Sequence, residues 1–505
     1  MKPPPPLLQS KALLTRNTII NIAGQGIPLA VAIFAVPIII QRAGTDRFGI
    51  LTLIWLIIGY FGLFDLGLGR ALTQKVSQAL AAGKTQEIPG LLHASLHITM
   101  ALGIVAAALL LFFASALVMQ VLKIPPSLHQ ETIVAIEVMA FSLPATLSTA
   151  CLQGYLEAIQ RFDLINWVKA TLGGFTLLAP LATLAFSPSL IPIVILLVIG
   201  RTTAFLVFFL LCRRSLPTLS KAPKPNSRTI ASLFKFGGWM TVSNIIGPLM
   251  VYLDRFLIGA IISMAAVAYY ATPYEIVTKL WIIPFSVVGV LFPAFAMNYG
   301  QNNNQYLIRL FDRGQVYLFM GLYPIALIVI TFAREGLTLW LGNEFASNGT
   351  VPMQLLMLGV FINSLALIPY TLIQAVGRPD LTAKLHILEL PLYIVLLLWL
   401  LKKYGIEGAA IAWVLRIILD TVVLFSLVRV KILPEAARPI KKIILAISVS
   451  CILICFPASM AQHLAIKLVA VLLVLIFFFY SCWLRLLDTK EKCFLKNFFS
   501  NACDR

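Results

Sequence analysis

The sequence predicts an all-α integral membrane protein of about 14 transmembrane helices. They are expected as two six-helix lobes related by a parallel repeat, plus two C-terminal helices. Three observations carry that prediction. Of the 505 residues, 60% are hydrophobic and only 12% charged, against roughly 45–50% apolar in soluble domains. The apolar residues gather into runs long enough to cross a hydrocarbon layer, which takes about 20 residues. The basic residues, 39 against 20 acidic, crowd into one set of the loops between those runs. This composition excludes a soluble globular enzyme, a secreted disulfide scaffold and a disordered chain. In a soluble protein a net charge of +19 would suggest nucleic acid. In a membrane protein it points to cytoplasmic loops and anionic headgroups, and no nucleic-acid partner is expected.

The first run, Asn17 to Ile40, follows Pro3 to Pro6, Lys11 and Arg16. It is longer than the roughly 7–15-residue core of a signal peptide and lacks a clear cleavage site, so it reads as a retained span. The remaining runs cover 47–68, 91–120, 132–152, 165–186, 190–212, 236–262, 273–297, 314–333, 351–375, 384–401, 407–430, 440–457 and 463–484. An even number of spans puts both termini on one side. With the N-terminus inside, 28 basic residues lie in inner segments, 7 in outer loops and four within spans. The positive-inside rule therefore expects both termini in the cytoplasm. The basic, proline-bearing stretch 213–235 (Arg213, Arg214, Lys221, Lys224, Arg228 and Lys235, with Pro217, Pro223 and Pro225) reads as a linker. It separates an N-terminal lobe, 1–212, from a C-terminal lobe, 236–430. Residues 431–505 hold the last two spans and a tail.

An internal repeat supports that division. Asn21-Ile22-Ala23-Gly24 recurs as Asn244-Ile245-Ile246-Gly247, and Arg70-Ala71 lies at the same offset from Pro293-Ala294. Ala158-Ile159-Gln160-Arg161-Phe162-Asp163-Leu164 matches Ala375-Val376-Gly377-Arg378-Pro379-Asp380-Leu381, and Arg201 matches Arg416. These correspondences run in order at slowly drifting offsets and equivalent depths. Halves with even span counts are parallel repeats about an axis along the membrane normal, and such symmetry brackets a substrate pathway in transporters.

The charged residues inside spans are the candidate site. Each costs about 2.5–3.5 kcal/mol on insertion scales and needs a reason. Arg201 has no acidic residue three or four positions away, so it must face water, a partner helix or an anionic ligand. Arg416 has Asp420 one turn on, which suggests a local ion pair. Asp254 and Arg255 on span 7 and Glu275 and Lys279 on span 8 lie nearly equidistant from a turn near Ala265–Ala266, and Glu275 and Lys279 share a helix face. Either the four form a structural network or their carboxylates exchange ions while Arg255 meets an anion. Asn244 continues the polar face of span 7. Glu137 and Glu389 are single carboxylates in apolar runs, either protonatable coupling groups or interfacial residues. His93 and His97 stand four apart without a third ligand nearby and read as ordinary interfacial histidines. The seven cysteines form no C-x-x-C pair, so no disulfide framework or metal site is expected. Phosphate-loop, G-x-S-x-G and H-E-x-x-H motifs are absent. The sequence therefore predicts a gradient-driven or downhill transporter with no cofactor, not an enzyme.

At this point the sequence resembles the O-antigen (Wzx-type) polysaccharide-export flippases of the multidrug/oligosaccharidyl-lipid/polysaccharide exporter superfamily. The resemblance rests on Asn17 to Gly24, on Ala43-Gly44-Thr45-Asp46-Arg47-Phe48-Gly49-Ile50, and on Phe64-Asp65-Leu66-Gly67-Leu68-Gly69-Arg70-Ala71. Asp254-Arg255-Phe256-Leu257-Ile258-Gly259 and Pro284 through Pro293-Ala294 complete it. It implies a two-lobed fold with a central cationic cavity in the bacterial inner membrane. It also implies translocation of undecaprenyl-diphosphate-linked oligosaccharide by alternating access, alongside a polysaccharide polymerase and chain-length machinery. A diphosphate needs cations, and arginine offers it two parallel donors. Arg201, Arg255 and Arg416 are therefore the substrate-binding candidates, with Asp254, Glu275, Lys279, Asn21 and Asn244 as coupling or gating candidates. A cation-coupled multidrug exporter, a lipid II flippase, and a membrane polymerase or ligase are the alternatives. The first predicts twelve spans and an acidic cavity, and the last a large outer loop.

Overall fold

A computed structural model describes residues 31–63, 68–159, 161–216, 249–301, 303–434 and 464–486. Among the described residues there is helix and no strand, and nine helical segments are long and apolar enough to cross a membrane. This is the predicted class. The expected spans at 91–120, 132–152, 165–186, 190–212, 273–297, 314–333, 351–375 and 463–484 each fall inside one of these segments or within two residues of it. The run 440–457, residues 236–248 of the seventh expected span and the N-terminal part of the first lie outside the described residues. The chain forms two compact units, Met1–Ala268 and Tyr269–Arg505.

In the first unit α1 (Val31–Ala43), α2 (Thr45–Leu63), α3 (Leu68–Ala81), α4 (Ile88–Ala116), α5 (His129–Ala140), α6 (Leu143–Ala158), α7 (Phe162–Leu184) and α8 (Leu190–Ser215) precede α9, residues 249–261. At the centre is α6, with α2, α3, α4, α7 and α8 packed on it. Its sequence explains that position. Lipid tails are as apolar as leucine, so helices in a bilayer associate where small residues let backbones approach. A Cβ on Gly154 would run into the carbonyl oxygen of Gly69 on α3, and one on Gly103 of α4 would meet the backbone of Pro144 on α6. Thr73 Oγ1 donates to the carbonyls of both Gly69 and Gly154, at 3.0 Å each. The backbone N–H of Lys123, beyond α4, donates to the Gly259 carbonyl of α9 at 2.8 Å.

In the second unit α10 (Met264–Thr278, beginning in the first), α11 (Ile282–Gly300), α12 (Asn304–Thr331), α13 (Ala333–Leu341), α14 (Asn343–Ala375), α15 (Pro379–Leu427) and α16 (Leu464–Arg485) follow. Here α14 is central, packed by α11, α12, α13 and α15. The turn before α10 falls at Ile262–Ser263, not near Ala265–Ala266, because α10 begins already at Met264, with Asp46 accepting from the Ala265 N–H at 3.2 Å.

The repeat is visible in local geometry. After α6, the Arg161 N–H closes back on the Leu156 carbonyl at 2.9 Å, and after α14 the Arg378 N–H closes on Ile373 at 3.1 Å. In each case the arginine Nε then meets the aspartate two residues on, Asp163 at 2.9 Å and Asp380 at 3.0 Å. Over their described residues the two matched segments thus make the same backbone closure and the same arginine–aspartate contact.

Candidate functional site

The expected spans 384–401 and 407–430 form one helical element, α15, continued by a short π turn to Ile432. A straight helix of its 54 residues would measure roughly 80 Å, more than twice the ~30 Å hydrocarbon core. Gly405 resolves the conflict with φ 60° and ψ −142°, a left-handed backbone that glycine adopts without steric cost. The two arms then fold back on each other. His386 Nε2 lies 3.9 Å from Asp420 Oδ1, the Arg416 guanidinium sits 5.5 Å above the Tyr393 ring, and Gly408 packs against the Leu400 carbonyl. All three contacts are centred on residues 403–405, the register of an antiparallel hairpin.

That register assembles a cluster the sequence reading did not join. The ligand atoms of His386, Glu389 and Asp420 all lie within 4.8 Å of one another. Glu389 is 2% exposed and Asp420 7%. Neither carboxylate oxygen of Glu389, nor Oδ1 of Asp420, receives a hydrogen bond. The His386 ring stacks on Tyr370 of α14, centroids 6.2 Å apart and 12° from parallel. Asp420, read from its spacing as the partner of Arg416 alone, faces Glu389 and His386 as well. The missed signal was available: Glu389 and Asp420 stand nearly equidistant from the turn.

The other sequence candidates are distributed along both units. Arg201 is half-buried on α8, and its Nε is buried without a hydrogen-bond partner. Among the described residues no carboxylate forms an ion pair with it. Its repeat mate Arg416 has the same intermediate exposure. On α9, Asp254 is fully buried and Arg255 is 4% exposed. Asp254 accepts from the backbone N–H of Arg255 at 2.7 Å, and the Arg255 guanidinium lies 5.7 Å over Tyr252. Glu275 and Lys279 form the expected i, i+4 pair, 3.7 Å apart and more than half exposed. These two belong to the second unit and Asp254 and Arg255 to the first. Asn21 and Asn244 lie outside the described residues, as do 217–235 of the expected linker.

Two further features complete the picture. Glu131 of α5, not the half-buried Glu137, is the carboxylate that ties helices together, through Arg47 of α2 and the Leu190 N–H of α8. His97 Nδ1 lies 2.8 Å from the His93 carbonyl, a contact within α4 that suits an ordinary helical histidine. Beside them Phe205, Phe209 and Arg213 of α8 line one side of a groove, with Leu96 and Met100 on the other.

Comparison with known proteins fits this arrangement. Residues 14–299 match the family described as "Polysaccharide biosynthesis protein". A Shigella flexneri protein named "Putative O-antigen transporter" is 30% identical over 416 residues, 81% of this chain and 96% of that protein. Among solved structures, the lipid II flippase MurJ in an inward closed conformation superposes with a TM-score of 0.71 at 12% identity, covering 92% of this chain and 99% of that one. An inward-facing multidrug resistance MATE family transporter of the MOP superfamily gives 0.66 at 13%, covering 86% and 98%. At such identities these two establish the fold alone. With half of its length matched by the family and most of it by the Shigella relative, the chain is a multi-pass membrane protein belonging to the polysaccharide biosynthesis protein family.

Proposed function

We propose that this protein flips undecaprenyl-diphosphate-linked oligosaccharide units across the bacterial inner membrane for polysaccharide assembly. The observation that carries the reading is the 30% identity to a protein named as an O-antigen transporter along nearly its whole length. The site chemistry supports it. Arg201 stands half-buried in an apolar helix with no carboxylate paired to it among the described residues, the state in which a guanidinium can bind an anionic ligand bidentately. Arg201, Arg255 and Arg416 bind the diphosphate in this reading. Asp254, Glu275 and Lys279 take part in coupling, with Asn21 and Asn244 as gating positions. The lobes, 1–212 and 236–430, alternate access around the substrate, joined by the cytoplasmic linker 213–235, with both termini and the tail of 431–505 in the cytoplasm. An ion gradient drives the cycle, and the polymerase and chain-length machinery take up the product. No step is chemical, so the protein acts as a transporter.

Complementation of a flippase-null strain tests this. Expression with a matched repeat unit is expected to restore surface glycan and to clear the lipid-linked unit from the inner leaflet. If the unit still accumulates there while the protein is present in the membrane, the reading fails. Arg201→Glu is expected to abolish the rescue; unchanged export would remove Arg201 from the site.

A further inference from the structure

The geometry points to a proton-binding carboxylate pair, Glu389 and Asp420, held between the two arms of the α15 hairpin. Three independent features meet there. The backbone reversal at Gly405 places the residues opposite each other. Both are buried, and neither oxygen of Glu389 receives a hydrogen bond. The imidazole of His386 closes the third side, one of its ring nitrogens and one oxygen from each carboxylate lying within 4.8 Å of one another. Around the pair stand His386 and Arg416 of α15 itself, with Tyr370 of α14 stacked on His386 and Tyr393 under the Arg416 guanidinium. Lys384 is turned to Asp380, one helical turn away.

Charge balance decides what the cluster takes. His386 Nε2 lies 3.9 Å from Asp420 Oδ1, too far for the hydrogen bond that would hold an imidazolium there. With the ring neutral, two carboxylates and one guanidinium leave one negative charge inside a membrane-spanning segment, where an uncompensated charge is strongly disfavoured. One monovalent cation restores neutrality; a divalent metal overshoots to a net positive site. An alkali ion needs a shell of oxygens to replace its hydration. Here the side chains supply two carboxylates and an imidazole, and helix carbonyls are committed to the backbone ladder. A proton needs only what is present. It bonds to one carboxylate oxygen, and a side-chain rotation that closes the gap of at most 4.8 Å lets that O–H donate to the other carboxylate, since like charges so close cannot both ionise. When the arms separate or Arg416 turns toward an anion, that proton is exchanged with water. Its use as the coupling ion for flipping rests on the function proposed above; the proton site itself does not.

Infrared difference spectroscopy of the purified full chain in lipid nanodiscs reads the protonated carboxyl group directly. Stepping the pH is expected to produce a carboxylic-acid C=O band that is lost in both Glu389→Gln and Asp420→Asn. Isotopic labelling of aspartate or glutamate carboxyls in the unaltered protein assigns the band to a residue type without any substitution, and whichever of the two variants folds then assigns it to the pair. A band that shifts on labelling one of the two residue types and does not respond to sodium at constant pH supports the pair. Absence of any such buried carboxyl titration overturns it, and so does a band displaced by sodium at fixed pH, which would make this an alkali-ion site. In proteoliposomes carrying a fluorescent lipid-linked oligosaccharide, an imposed pH gradient is expected to accelerate flipping in the unaltered protein and not in Glu389→Gln. A titrating pair in a protein that flips no such lipid would leave the proton site standing and refute the flippase reading instead.

Discussion

Glu131 takes hydrogen bonds from Arg47 Nε at 3.2 Å and Nη2 at 3.0 Å, and a further one from the backbone N–H of Leu190 at the head of α8. One carboxylate therefore joins α2, α5 and α8, in the geometry that makes arginine–carboxylate contacts both strong and directional. Glu131→Ala is expected to lower the stability of the first unit by about 1.5–3 kcal/mol, the range for a lost hydrogen bond to a charged group, and Glu131→Gln by less; thermal unfolding in detergent measures both. A second carboxylate gives a pH signature. Burial pushes the Glu335 carboxyl up, while the hydrogen bond from Lys467 of α16 at 2.7 Å pulls it down further, leaving it below the ordinary carboxylate value. A folded-state value that is depressed contributes stability above the unfolded value of about 4.3 and loses it as the pH falls through the folded one. Acidification below about pH 4 is thus expected to loosen α16 in the unaltered protein. A Glu335→Gln variant, already deprived of the ion pair, should show a smaller decline in melting temperature over the same range.

At the scale of elements, apolar run length was enough to place most spans, because a helix in lipid must satisfy its own backbone and cannot be much shorter than the bilayer. The matched turns at Arg161–Asp163 and Arg378–Asp380 were legible for the same reason: local sequence makes local hydrogen bonds. The His386–Glu389–Asp420 cluster was not read, since its members are 31 and 34 positions apart and meet only through the reversal at Gly405. Spacing along one helix revealed Arg416 and Asp420; a contact across a turn needs the register of that turn. Arg47 and Glu131, 84 positions apart, were hidden in the same way. Gly405 carries a direct test. An alanine there must adopt φ near +60°, and Gly405→Ala is expected to destabilise the second unit by about 1–3 kcal/mol, seen as a lower unfolding midpoint. Gly154 tests packing. Its missing side chain lets α6 rest against the Gly69 carbonyl, so Gly154→Leu is expected to separate α3 from α6 and to sharply reduce the yield of folded protein on size-exclusion chromatography.

For the whole molecule, composition and charge asymmetry identified a multi-pass membrane protein, and the family match and the Shigella relative place it among polysaccharide biosynthesis proteins. The fold it shares with a lipid II flippase and a multidrug exporter serves substrates of very different chemistry, so specificity has to reside in side chains. Within the spans Arg255, Lys279 and Arg416 each have a carboxylate nearby in sequence, at Asp254, Glu275 and Asp420, while Arg201 has no ion-paired carboxylate among the described residues, which is what a diphosphate headgroup would need. Leaflet translocation in proteoliposomes is the most direct measurement of that claim. Purified protein is reconstituted with a fluorescent undecaprenyl-diphosphate oligosaccharide, and a membrane-impermeant quencher reports the fraction in the outer leaflet. The unaltered protein is expected to move this lipid between leaflets, and Arg201→Glu to leave it where it starts. Equal rates in protein-containing and protein-free vesicles, or full activity in Arg201→Glu, would contradict that claim.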